Sequence, residues 1–234
     1  MHFSYVNLWD KGDYYTKNQD SFSIQSVFTG NGPYAMALVC DGVGSLAKGE
    51  YAGGLTAKII TDWFYQNALD LLCRNASKEK LLCSFKRALR DVHEQLLRES
   101  GREGIRMGTT CSVLILSARH FYFFHIGDCS CYFIGNKVKE ISVKQVNEKG
   151  ELRGIVGAGR LPDIYFRTGK YKRHQRFLLC SDGYNRCLSM QGLTALASKN
   201  LKEMETGKLL QEILQRGRRK GERDNCTAIV IGRK

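Results

Sequence analysis

Between residues 21 and 42 apolar and polar positions change with the short period of β-strands. "SFSIQSVF" runs into a turn at "TGNGP", and "YAMALVCDG" resumes as a nearly unbroken apolar run. The period then lengthens. In "EYAGGLTAKIITDWFYQNALDLLC" the positions Ala52, Leu55, Ile59 and Trp63, with Ile60, Phe64, Ala68 and Leu71, recur at helical spacing and predict a helix with a wide buried face. Ser77 stands where an N-cap belongs, Leu81, Phe85, Leu89, Val92 and Leu96 mark a second stripe, and Gly101 is the expected stop. From Thr109 the short period returns in "TTCSVLILSA", "HFYFFHIGD", "SCYFIG" and "KVKEISV", separated by the brief breaks of hairpins. A loop rich in glycine and charge fills roughly 147–162. It is followed by "DIYFRTG", "RFLLCSDG", a short helix over Gln191–Ser198, a longer one over Thr206–Arg216, and a last strand, "CTAIVIGR". Many of these strands are apolar on both faces. Two stacked sheets with helices outside, an α+β fold, bury them best.

The chain has 234 residues, two prolines, no internal repeat and no linker, so a single domain over 1–234 is expected. No apolar run reaches the roughly 18 residues that span a bilayer, and "MHFSYVNLWDKGDYY" lacks the greasy centre of a signal peptide. The expectation is a cytoplasmic protein without a membrane partner. Nine cysteines, an odd number set mostly in apolar or helical stretches, read as reduced thiols rather than a disulfide framework. Cys129 and Cys131 form a CxC pair, but with no second pair they read as structural. The formal net charge of +13 favours anionic partners at long range. Its densest cluster, "RGRRKGER", ends a helix, where the dipole favours positive charge anyway. No stripe interleaves aromatic with basic residues, which argues against a nucleic-acid partner.

The aspartates carry the chemistry. Asp41, Asp128 and Asp182 each end an apolar run, while Asp20 and Asp224 each precede one. One such residue is turn chemistry. Five suggest that strand ends from two sheets meet along one edge, where clustered carboxylates would repel one another unless a cation neutralised them. All-oxygen ligation without histidine selects Mg²⁺ or Mn²⁺. Two such ions suit in-line attack at phosphorus by a shared water.

"NQDSFSI", "LVCDGVGSLAKGEYAG", "MGTTCSVLIL", "FHIGDCSCYFIG", "LLCSDGYNRCLS" and "RDNCTAIVI" together resemble, in order and approximate spacing, the type 2C metal-dependent protein serine/threonine phosphatases, most nearly the bacterial ones. The likeness covers nearly the whole chain. It implies an α/β/β/α sandwich of two mainly antiparallel sheets, two Mn²⁺ or Mg²⁺ ions with a third, weaker one, and hydrolysis of phosphoserine and phosphothreonine without a phosphoenzyme. Carried over, the catalytic and metal-binding residues are Asp41, bridging both ions, the carbonyl of Gly42, Asp182 and Asp224 at the second ion, Asp20 through coordinated water, and Asp128 at the third. Asn225 would orient its neighbour. Phosphorylated proteins are the implied substrates, and a cognate serine/threonine kinase the implied counterpart.

Several positions depart from the family pattern. Tyr15 replaces the arginine that grips phosphate, with Lys17 the nearest cation. Gln19 stands where a glutamate is common, and Val43 replaces the histidine of eukaryotic members, which bacterial members also lack. Arg186 replaces an aspartate of the third site, either weakening it or standing in for the cation beside Asp128 or Asp182. "VNEKGELRGIVGAGRLP" occupies the flap position, with glycines that suggest mobility and Arg153 and Arg160 as further phosphate-binding candidates. Tyr15 and Arg186 also keep a second function open, a catalytically weak or inactive regulatory domain that binds a phosphorylated partner. A metal-dependent nuclease is the third.

Overall fold

The computed structural model describes residues 2–198 and 201–234. Two five-stranded sheets, all pairings antiparallel, form its centre. The first contains β2 (Ser21–Thr29), β3 (Gly32–Cys40), β4 (Cys111–Leu116), β5 (His120–Ile126) and β8 (Tyr165–Lys170), in that order. The second runs β1 (Phe3–Asp10), β10 (Cys226–Arg233), β9 (Arg176–Cys180), β6 (Ser130–Ile134) and β7 (Val138–Glu140). Helices α1 (Gly49–Trp63), α2 (Leu69–Cys73) and α3 (Lys78–Glu103) lie outside the first sheet, and α5 (Met190–Leu196) and α6 (Glu203–Arg219) outside the second. The short α4 (Asp182–Cys187) leaves the end of β9.

Strand alternation explains why the apolar runs are unbroken. In β3, Met36, Leu38 and Cys40 face the helices, while Ala35, Ala37 and Val39 face the other sheet. In β10, Ala228 and Val230 face α5 and α6, whereas Ile229 and Ile231 enter the inter-sheet core. Both faces of a central strand are thus buried, and the expected α/β/β/α layering follows.

Four elements differ from the sequence expectation. Residues 3–10 form β1, an edge strand paired with β10 along its whole length; its mixed pattern, with Tyr5 and Trp9 half exposed, hides the alternation. The first long helical stretch is interrupted by a π turn at Phe64–Ala68. Helix α3 runs through Gly101 and stops at Gly104, which takes the left-handed conformation (φ 67°). The strand expected at 137–143 is only three residues long. Ser77 caps α3 as expected, accepting from the Lys80 N–H.

Pairing sets the positions of the strand ends. Ser21 faces Cys40, Cys111 faces Ile126, Cys180 faces both Ser130 and Ala228, and Cys226 faces Asp10. The start of β2, the end of β3 and the end of β5 therefore share one edge of their sheet, and the end of β9 and start of β10 share one edge of theirs.

Candidate active site

At that end a cavity of about 230 Å³ is lined by Tyr15, Asp41, Gly42, Thr110, Asp128, Asp182 and Asp224, with Gly150 and Leu152 of the 147–162 loop on one side. Asp41 is fixed through its backbone: its N–H donates to Thr110 Oγ1, and its carbonyl accepts from the Thr110 N–H and from Thr109 Oγ1, each at 2.9 Å. Gly42 presses against the start of α1, where a Cβ would lie 2.6 Å from the Gly49 carbonyl carbon. Asp182 is the first residue of α4. Asp224 sits in a turn organised by Glu222, whose Oε1 accepts from the Arg223 and Asp224 N–H groups at 2.9 Å.

Asn225 does hold its neighbour, donating its N–H to Asp224 Oδ1 at 2.7 Å. Its side chain also ties two distant segments together, accepting from the Gln19 N–H and donating to the Lys11 carbonyl. Asp20 is buried behind the cavity rather than lining it. Thr227 Oγ1 donates to its Oδ2 at 2.6 Å, and its Oδ1 is buried without a hydrogen bond.

The electrostatics match a carboxylate cluster. Burial, reinforced by Asp20, Asp182, Asp128 and Asp224, pushes Asp41 well above the usual carboxylate range. Burial first, then neighbouring aspartates, raises Asp20 to about 7 and Asp128 to about 6, and Asp224 also moves up. Arg186 partly offsets this charge. Its guanidinium donates to Asp224 Oδ2 at 2.6 Å, to Glu222 Oε2 at 2.7 Å and to Asp182 Oδ2. Burial works against its charge, but the carboxylates outweigh it and hold the arginine firmly protonated.

The other basic candidates stand elsewhere. Lys17 pairs with Glu50 at 2.8 Å on the surface, and Arg153 and Arg160 are exposed; none of the three lines the cavity. Tyr15 does line it, with its hydroxyl against Gly44. Of the loop glycines, Gly154 and Gly157 are packing residues, whereas Gly150 and Gly159 are left-handed with open space around them. Gly154 lies against Gln145 and Gly127, while Gly157 (φ 93°) fits against Leu96 and donates its N–H to His93 Nδ1 at 3.0 Å. The Thr109–Val156 bridge also anchors the loop. Thr109, Thr110 and Glu222 are site residues that the sequence reading missed. The threonines stood inside a strand motif, and Glu222 was hidden in the basic run "RGRRKGER".

The Protein phosphatase 2C family model matches residues 15–223, nine-tenths of the chain, including every residue of this cavity except Asp224, which follows the matched stretch. The chain belongs to the protein phosphatase 2C family. A Mycoplasma genitalium chain described as a candidate protein phosphatase is 24% identical over 257 aligned positions, which cover 98% of this chain and 95% of that one. Among solved structures, the Mycobacterium tuberculosis serine/threonine phosphatase PstP/Ppp superposes with a TM-score of 0.78 at 19% identity over the whole of both chains. Staphylococcus aureus Stp1 gives 0.82 at 17%, covering 99% of this chain and 95% of that one. PstP crystallised with two manganese ions gives 0.77 at 21%, covering 99% and 98%. These structural likenesses establish the type 2C fold.

Members of the family use Mn²⁺ or Mg²⁺, and the donor set here suits such hard ions: carboxylate oxygens, a buried Asp20 oxygen without a partner, and no cysteine or histidine in the cavity lining. Among the described residues, however, no three acidic, histidine or cysteine side chains stand close enough to grip one ion. Arg186 lies between Asp182 and Asp224, where it supplies the positive charge itself.

Proposed function

We propose that this type 2C domain, spanning 1–234, is a metal-dependent phosphatase that hydrolyses phosphoserine and phosphothreonine in proteins by direct attack of water. The observation that carries the proposal is the meeting of Asp41, Asp128, Asp182 and Asp224, drawn from both sheets, around one cavity with Asp20 behind them. In this reading Asp41 and the Gly42 carbonyl would hold one ion, Asp41 with Asp182 and Asp224 would hold a second, and Asp128 would serve a weaker third. When bound, a pair of Mn²⁺ or Mg²⁺ ions supplies a water of lowered pKa and neutralises the phosphate oxygens.

The chain's own residues do the rest. Thr109 and Thr110 fix the backbone of Asp41 and so set where its side chain starts at the cavity wall. Glu222 and Asn225 hold Asp224. Among the described residues no cysteine lines the cavity and no histidine stands there to activate the hydroxyl of Ser45 or Thr110, which favours water over a side-chain nucleophile. Val43 offers no proton, so water or another residue protonates the leaving oxygen. Phosphoproteins are the substrates and a serine/threonine kinase the counterpart, in the cytoplasm. No described helix is long and apolar enough to cross a membrane.

One feature favours a second reading, a weak or inactive domain that holds a phosphorylated partner: Arg186 sits across Asp182 and Asp224. Turnover of para-nitrophenyl phosphate and of a phosphothreonine peptide with Mn²⁺, repeated with EDTA and with Asp41→Asn, separates the two. Loss in both controls supports the enzyme, and absence of turnover despite Mn²⁺ binding supports the regulatory domain.

A further inference from the structure

Beside the carboxylate cavity lies a larger one, of about 610 Å³, walled by the end of α4, the turn into α5 and the last turn of α6. Arg186, Arg216, Arg219 and Lys220 line it, against a single carboxylate, Glu222. That carboxylate is already paired with Arg186. Arg216 lies 3.9 Å from Glu212, a solvent-exposed pair, and Arg219 and Lys220 have no ion-pair partner among the described residues. The helix dipole accounts for cations at the end of α6. It does not account for the hollow between them, whose floor includes Leu188 and Ile213.

Arg186 lines the basic cavity and reaches two residues of the carboxylate cavity, Asp182 and Asp224. One edge of its guanidinium meets Glu222 in the basic cavity, and the other meets Asp182 and Asp224 of the carboxylate cavity. A phosphorylated side chain entering the carboxylate cavity would thus lie one arginine away from the cavity that Arg219 and Lys220 line.

Resting on the phosphatase reading above, we propose that the basic cavity is a docking site for an acidic segment of the phosphoprotein substrate, next to the residue that is dephosphorylated. The floor is aliphatic and no aromatic side chain lines it, so it offers no platform for stacked bases and suits a peptide better than a nucleic acid. Charge complementarity across a partly exposed cleft acts mainly on KM.

The test compares the wild-type chain with Arg219→Glu/Lys220→Glu, both residues exposed and outside the carboxylate cavity. Three Mn²⁺-dependent substrates are used: a phosphothreonine peptide flanked by Asp and Glu, its Asn/Gln counterpart, and para-nitrophenyl phosphate. The wild type should prefer the acidic peptide by about tenfold in kcat/KM, and the variant should lose that preference through KM while keeping its rate on para-nitrophenyl phosphate. Equal use of both peptides by the wild type, or a preference that survives the charge reversal, overturns the proposal. Fluorescence anisotropy with the unphosphorylated acidic peptide reads the same site without turnover. Binding abolished in the variant supports the dock even in a catalytically silent protein, and tighter binding of a single-stranded oligonucleotide than of the peptide overturns it.

Discussion

Arg186 joins Asp224 at 2.6 Å while also bonding Asp182, so one guanidinium links two carboxylates delivered by neighbouring strands of the same sheet. A cation entering between them must displace it. Arg186→Gln should therefore strengthen Mn²⁺ binding by about tenfold in a calorimetric titration, since each exchanged exposed pair is worth about 1 kcal/mol. The same variant should melt at a lower temperature in EDTA, because its two aspartates then repel unopposed. An unchanged Mn²⁺ titration would mean that the arginine swings clear at no cost.

Asp20 should give the metal-free protein a pH-dependent stability. Burial raises its carboxyl to about 7 in the folded state, against about 4 when unfolded. The fold thus favours the protonated form. Its contribution is fully present below about pH 4 and is lost as pH rises through 7. Melts in EDTA between pH 4 and pH 8 should show this decline, and Asp20→Asn, which retains an acceptor for Thr227, should flatten it. A decline of the same slope in the variant would assign the effect to the other carboxylates.

Tyr15 stands on the cavity wall, yet its phenol carries no positive charge to meet a phosphate. Tyr15→Arg should place a two-pronged donor there, lowering KM for para-nitrophenyl phosphate and strengthening inhibition by inorganic phosphate, each by about fivefold. A variant with wild-type values would show that the side chain points away once substrate binds.

The backbone contact between Gly42 and Gly49 leaves no space for a methyl group. Gly42→Ala should cost roughly 1–3 kcal/mol in urea unfolding and weaken Mn²⁺ binding, because α1 must shift or the segment after Asp41 must withdraw. Full stability with unaltered metal affinity would remove Gly42 from the site.

Much of this was legible in the chain. The periods of two and 3.6 located both long helical stretches and most strands, and the runs ending in Asp41 and Asp182 pointed to the cleft. Other features depend on contacts that sequence spacing does not carry. The β1 strand has meaning only beside β10, which lies more than 200 residues away. Glu222 looked like one acid in a basic run until the turn placed it under Arg186 and Asp224. Gly154 and Gly157 read as hinges because their neighbours, Gln145 and Leu96, belong to other elements. Asp20 looked like a member of the rim, and the hydrogen bond from Thr227 shows it set back beneath it.

The aspartates belong to two sheets whose described strands are not paired with one another, held apart by a layer containing Val39, Phe123, Phe177 and Ile229. The thickness of that layer sets the spacing between the aspartates of one sheet and those of the other. Trimming Phe177, buried between the sheets, would let them settle closer, so the spacing of the aspartates is written partly in the oily interior.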